Sequence, residues 1–167
     1  MDAIYKRRSI RKYTSGKVPY KMLLDFIKAG MNAPSAGDEQ PWHFVIIDDR
    51  NLLNKITKIH PYSSMLKQAP AAILVCADLD LLAYDEYWVQ DCSAATENIL
   101  LEIADKDLGA VWLSIYPLKD RIEGIKNLLN IPERVIPFSL ISLGYPAEEK
   151  ALKNEFKEDR IKRNYWN

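Results

Sequence analysis

An α+β or α/β sandwich is the architecture this sequence predicts, on three observations. Four apolar segments of strand length, 42–47, 70–77, 110–116 and 135–143, alternate with segments whose apolar residues recur at helical spacing. Too few helices separate some of those strand pairs for a uniform succession of βαβ units. Neither GxGxxG nor GxxxxGK[ST] occurs, so the usual dinucleotide fingerprint and phosphate loop are missing. The 167 residues, with no internal repeat, low-complexity tract or linker, are read as one domain spanning 1–167.

The elements follow in order. Asp2 is placed to cap a short first helix whose Ile4 and Tyr5 precede a basic cluster of Lys6, Arg7, Arg8, Arg11 and Lys12 around Ser9. A Gly-Pro turn region at 16–19 leads to a second helix over 20–32. Its Leu23, Leu24, Ile27 and Met31 share a stripe, and Pro34 ends it. Residues 33–44, APSAGDEQPWHF, give a proline-bounded loop of small residues that runs into the first strand. A short surface helix covers 51–57, and 60–68 reads as an ordinary loop or helical turn, His60 and Tyr62 included.

The run 70–77, PAAILVCA, is continuously apolar and so predicts an interior strand. The longest helix is predicted over 88–106, with Cys92, Ala95, Ile99 and Ile103 on one apolar line and Asp91, Asn98 and Asp105 on a second. Its small residues, Ser93, Ala94, Ala95 and Ala104, allow close approach of another helix, either at the centre of the fold or at a subunit interface. Gly109 reads as its C-terminal cap, before strand 110–116. A helix at 120–130, through Ile122, Ile125 and Leu129, stops at Pro132. In strand 135–143, Pro137 implies an edge or an early position. The tail, 148–167, is charged until Tyr165 and Trp166, two aromatics that suggest docking onto another surface.

Charge and composition narrow the function. Lys+Arg 23 balance Asp+Glu 23, so no global field draws the chain to nucleic acid or to an anionic membrane. No apolar run approaches the ~18 residues of a bilayer span, and no apolar signal core follows the basic start; a cytoplasmic location is expected. Cys76 and Cys92 stand singly and read as reduced, buried residues. With two histidines, no HExxH and no Cys/His ligand spacing, neither a metal site nor Ser/His/Asp hydrolysis is supported.

Two stretches remain as candidates for binding. The basic cluster is a solvated face or a phosphate cradle, since guanidinium forks match phosphate oxygens and Ser9 adds a hydroxyl; the absence of interleaved aromatics argues against nucleic acid. The 33–44 loop is a close backbone contact for a flat or anionic ligand, or simply a helix-to-strand connection.

Taken in order, RRSIRKY, APSAGDEQPWHFVII, the long helix, LGAVWLSIYP and LISLGYPAEEK resemble the FMN-dependent nitroreductase family over essentially the whole chain. The resemblance implies an α+β sandwich on a mixed, mainly antiparallel sheet of about four to five strands. It also implies an intertwined homodimer with two FMN sites at the subunit boundary and the tail docked on the partner subunit. It places Arg7, Arg8, Ser9 and Arg11 on the FMN phosphate and ribityl chain, with Arg11 near the pyrimidine edge. Pro34, Ser35, Ala36, Asp38 and Gln40 match the loop that the partner lays against the isoalloxazine. Leu113, Ser114 and Ile115 match the strand end whose N–H faces flavin N5, and Lys153 matches a phosphate contact.

The chain also departs from the family pattern. Asp38 stands where Asn is common, Ser114 where Gly is common, and Glu155 where a second basic residue is common, with Lys157 or Arg160 as possible substitutes. The segment 78–88 is short, implying a more open pocket. The implied activity is reduction of small flat electron-poor acceptors, nitroaromatics or quinones, by NADH or NADPH through FMN in a ping-pong cycle, with no catalytic side chain. The alternatives are a non-catalytic FMN carrier or redox sensor, or a flavin enzyme of the same fold with another reaction, dehydrogenation or flavin breakdown.

Overall fold

The computed structural model describes residues 3–166; Asp2, expected as a cap for α1 (Ala3–Lys6), lies outside the described residues. Every residue of strand β2 (Ala71–Asp78) except Asp78 is buried, because both faces and both edges are covered. It pairs with β1 (Trp42–Ile47) on one side and β4 (Val135–Gly144) on the other, and β3 (Gly109–Ser114) lies outside β4. The order is therefore β1-β2-β4-β3, and all three pairings are antiparallel. This corrects the expectation of a mixed sheet. β2 and β3 do run in the same sense, but β4 lies between them, and the parallel component is reduced to an isolated bridge from Ser9 to Ala110.

Helices cover the sheet on both faces. On one, Leu23, Phe26 and Ile27 of α2 (Tyr20–Met31) and Cys92, Ala95, Ile99 and Ile103 of α4 (Trp88–Asp105) pack on Ile73, Val75, Ile141 and Leu143. On the other, α3 (Arg50–Ile59), α5 (Lys119–Leu129) and the 3₁₀ turn Ser64–Lys67 bring Leu53, Ile56, Ile125 and Leu66 onto Leu74, Cys76, Leu113 and Leu140. Each fully buried Leu or Ile contributes roughly 1.5–3 kcal/mol, so these two layers hold the sheet in place. The close approach of α2 to α4 is made by Gly30, where an added Cβ would stand 2.9 Å from Ile99 Cδ1.

Two local expectations are corrected. Gly109 is not the cap of α4: the left-handed turn falls on Asp107, φ 57°, and Gly109 already belongs to β3. Pro137 takes the second of its two expected places, early in a strand, since β4 is interior; the register with β2 shifts between Val75 and Cys76, and this bulge accommodates a residue without an N–H. α5 ends at Asn130, φ 54°, two residues before Pro132. Cys76 and Cys92 are free and buried as expected, and burial pushes the Cys76 thiol up to about 12. No helix among the described residues is long and apolar enough to cross a membrane, and no cluster of metal-ligating side chains occurs among them. Residues 151–166 are exposed throughout.

Candidate cofactor site

The alternation of the β3–β4 ladder aims the backbone at the site. Ile115 N–H donates to Phe138 O at 3.1 Å, and Ser114 stands opposite Ser139, so the N–H and C=O of Ser114 turn away from β4 toward the open edge. Ala110 has the same orientation, and its carbonyl accepts from Ile10 N–H at 2.9 Å. The Ser114 N–H has no hydrogen-bond partner among the described residues. Leu113 and Ser114 line a cleft of ≈ 540 Å³ together with Arg11, Tyr62 and Trp112. Ile115 does not join them: it is fully buried and its amide is taken by Phe138.

The basic cluster divides into groups with different tasks. Tyr13, whose buried hydroxyl donates to Ile10 O at 2.8 Å, fixes the segment that carries Ser9 and Arg11. Arg11 N–H donates to Glu148 Oε1 at 2.6 Å, and this bond, with Lys150 nearby, holds the Glu148 carboxyl below the usual range. The Arg11 guanidinium and the Lys150 ammonium both donate to the Ser9 carbonyl. Arg7 pairs with Glu97 at 3.1 Å, whereas Arg8 makes no ion pair among the described residues. Lys6, Arg7, Arg8 and Lys150 line a second cleft of ≈ 300 Å³ that shares no lining residue with the first. Lys153 lies next to α1, where its N–H donates to Tyr5 O, but its ammonium faces Glu155 at 3.4 Å. Lys150 reaches the Ser9 backbone instead. Lys157 and Arg160 lie in the exposed tail.

The sequence reads His60 as part of an ordinary loop and does not single out Arg121. His60 is 2% exposed, so it is a core residue rather than part of an ordinary loop. Its Nδ1 accepts from Tyr62 N–H at 3.2 Å, which places the ring proton on Nε2, 3.1 Å from Ser114 O. Arg121 Nη1 donates to the same carbonyl at 2.8 Å, and its guanidinium carbon stands 5.8 Å from the centre of the Tyr62 ring. Burial, then the Arg121 charge, keep the imidazole pKa below its ordinary value. A half-buried guanidinium thus shares the cleft with Arg11. The only sequence signal for this pair was a histidine just past one helix and an arginine in the first turn of another.

The 34–40 loop is built at the other margin of the sheet. Gly37, Asp38 and Gln40 have φ of 55°, 57° and 46°; the left-handed region costs a non-glycine residue about 1–3 kcal/mol. Side chains compensate: Ser35 Oγ accepts from Gln40 N–H at 3.0 Å, and Gln40 Nε2 donates to Asp38 Oδ1 at 2.8 Å. Ala36 N–H donates to Oδ1 of buried Asp91 at 3.0 Å, and Glu39 Oε2 accepts from Ala83 and Tyr84 N–H, so the short 78–88 segment is tied to the loop. Burial, then the neighbouring Glu39 carboxyl, push the Asp91 pKa up against the pull of the Ala36 amide. Asp91 Oδ2 and Glu39 Oε1 are buried and have no hydrogen-bond partner among the described residues. This loop feeds β1, three strand spacings or about 14 Å from the β3 edge. Within one chain, Pro34, Ser35, Ala36, Asp38 and Gln40 are therefore apart from Arg11, Leu113 and Ser114.

Fold and site together define an α+β sandwich with a cation-lined ligand cleft along an outer strand. The chain belongs to the nitroreductase family, whose description, Nitroreductase family, matches residues 4–61 and 59–145. It is 51% identical, over 99% of its own length and 87% of the relative's, to a Methanothermobacter thermautotrophicus protein provisionally named NADH dehydrogenase/NAD(P)H nitroreductase. A provisionally named NADH oxidase of Clostridium acetobutylicum is 41% identical with a TM-score of 0.95, covering 99% of this chain and 100% of that one. A provisionally named nitroreductase of Desulfovibrio desulfuricans, solved in complex with FMN, is 27% identical with a TM-score of 0.83 over 99% of this chain and 96% of that one.

Proposed function

We propose that this protein is an NAD(P)H-dependent FMN oxidoreductase that reduces small flat electron-poor acceptors, nitroaromatics or quinones, in a ping-pong cycle. The observation that carries the reading is the open Ser114 N–H beside Arg11 in a ≈ 540 Å³ cleft. That volume lies within the roughly 300–1,000 Å³ of small-molecule sites, and Trp112, Leu113 and Tyr62 supply flat apolar walls. The names of the relatives support the cofactor and the electron donor.

FMN, when bound, supplies two-electron transfer from NADH or NADPH to the acceptor. Arg11, lining the cleft, would hold the polar edge of the ring system and favour the negative charge that accompanies its reduction. The Ser114 N–H would serve as a fixed donor toward the ring. Arg8 and Lys150, lining the second cleft, would be suited to the phosphate, and Arg7, paired with Glu97, would add a cation on that side. Lys153 joins them only if its ammonium leaves Glu155. No side chain is needed as general acid or base.

The 34–40 loop, at the far margin in its own chain, would come from a second copy, making the protein a homodimer with shared sites. The exposed Leu152, Phe156, Ile161, Tyr165 and Trp166 give the tail an apolar surface for the partner subunit. A cytoplasmic location accords with this use of nicotinamide.

The absorption spectrum of the purified protein, followed by stopped-flow mixing with NADH and NADPH, tests the reading. Flavin absorbance that bleaches on mixing and recovers with a nitroaromatic or quinone is the expected result. Protein that neither carries nor takes up FMN overturns it. Bound FMN that no nicotinamide reduces indicates a carrier or sensor instead.

A further inference from the structure

We propose that Arg121, held on the Ser114 carbonyl beside His60, is a second positioning cation of the flavin site: it fixes the end of β3 and adds to Arg11 in stabilising the reduced cofactor. The inference rests on the FMN reading above and assigns a residue that no motif covers.

The geometry supports each part. Ser114 is the last residue of β3, and its carbonyl is directed off the sheet, where no strand holds it. Two donors take that place, Arg121 Nη1 at 2.8 Å and His60 Nε2 at 3.1 Å. The 3.2 Å between Arg121 Nη1 and His60 Nε2 separates two donors, so it is a consequence of their shared acceptor and not a bond between them. His60 is itself oriented by the Tyr62 amide, so ring, guanidinium and strand end form one connected unit. Together they fix the rotation of Ser114 and with it the direction of its free N–H.

Charge is the second consequence. A neutral His60 places no competing cation beside Arg121, whose positive charge is undiluted by any ion pair among the described residues. The Nε and Nη2 groups of Arg121 have no protein acceptor among the described residues, and Arg121 lines the same cleft as Arg11. Reduction adds negative charge to a flavin, so a fixed cation lining the cleft would bind the reduced form more strongly than the oxidised one.

The test compares wild type, Arg121→Gln, Arg121→Met and Arg121→Lys in the full-length protein. FMN affinity is measured by fluorescence titration, the midpoint potential by equilibration with a redox dye, and folding by melting of the apo-protein. Arg121→Gln retains a donor for the Ser114 carbonyl without the charge, and Arg121→Met, similar in length, is a second neutral variant. Both neutral variants are expected to bind reduced FMN about tenfold more weakly relative to oxidised FMN, which lowers a two-electron midpoint by about 30 mV. Arg121→Lys is expected to recover most of that loss. An unchanged midpoint in a folded neutral variant, or a Lys variant as low as Gln, overturns the proposal. Wild-type protein that takes up no FMN fails a separate test, that of the flavin reading, and takes this inference with it.

Discussion

A Cβ built on Gly109 would lie 2.7 Å from the Cβ of Ile10, a separation that packed carbons do not reach. Ile10 cannot retreat, because its amide donates to Ala110 O and its carbonyl accepts from Tyr13. Gly109→Ala should cost about 1–3 kcal/mol by overpacking. Since Ser9 and Arg11 flank Ile10, FMN affinity should fall with it. Urea unfolding and flavin titration check both effects; an unchanged unfolding midpoint would show that the segment can shift.

Asp91 governs a pH effect with a definite sign. Its carboxyl is raised in the folded protein, so the stability it contributes is complete below the ordinary carboxylate range and is lost as pH rises through the raised value. Asp91→Asn should remove that loss and stabilise the protein at neutral pH, because the neutral amide still accepts from the Ala36 N–H. Asp91→Ala should instead cost about 1–3 kcal/mol by leaving the Ala36 N–H unpaired. Thermal melts across pH 4–9 would show a flatter profile for Asn than for wild type.

His60 has the opposite sign. Its pKa is depressed by burial and by Arg121, so the stability of the neutral ring is present above the ordinary histidine value and lost as pH falls through the lower folded value. A protonated ring would also turn an N–H toward the Tyr62 amide. His60→Gln should lower stability at neutral pH by about 1–3 kcal/mol, the cost of an unpaired buried group, yet soften the acid transition. Acid unfolding followed by circular dichroism would measure both, and an acid limb as steep as wild type would contradict the assignment.

The arginines should separate by role. Arg11→Gln removes a charge from the cleft and should weaken FMN binding about ten- to a hundredfold, the equivalent of roughly 1.5–3 kcal/mol for charged hydrogen bonds. Glu97→Ala breaks a half-exposed pair with Arg7 and should change stability by less than about 1 kcal/mol. Titration of FMN against both variants reads the contrast; equal losses would mean that Arg7 depends on Glu97 for its placement.

The sequence was legible where one period dominated. The unbroken run in β2 marked an interior strand, and the stripes of α2, α4 and α5 located those helices within a residue or two. Pairwise accidents of tertiary packing were not legible. Gly109 reads as a cap by local chemistry, and only the passage of Ile10 across it supplies the real reason for glycine. Pro137 indicates an irregular strand, but whether an edge or a bulge provides the irregularity depends on the neighbour. For the site, Arg11, Leu113 and Ser114 line one cleft and Ile115 does not. The parts played by His60, Arg121 and Lys150 were not legible because each acts on a backbone carbonyl, and a carbonyl is contributed by every residue type.

The separation of Arg11 from the Gly37 turn, across the full breadth of the sheet, has a genetic consequence. If each pocket draws its arginine from one polypeptide and its turn from the other, Arg11→Gln and a bulky Gly37→Val, each disabling alone, should complement when coexpressed. The mixed pair would concentrate both lesions in one pocket and leave the other whole, restoring up to half of normal occupancy per heterodimer.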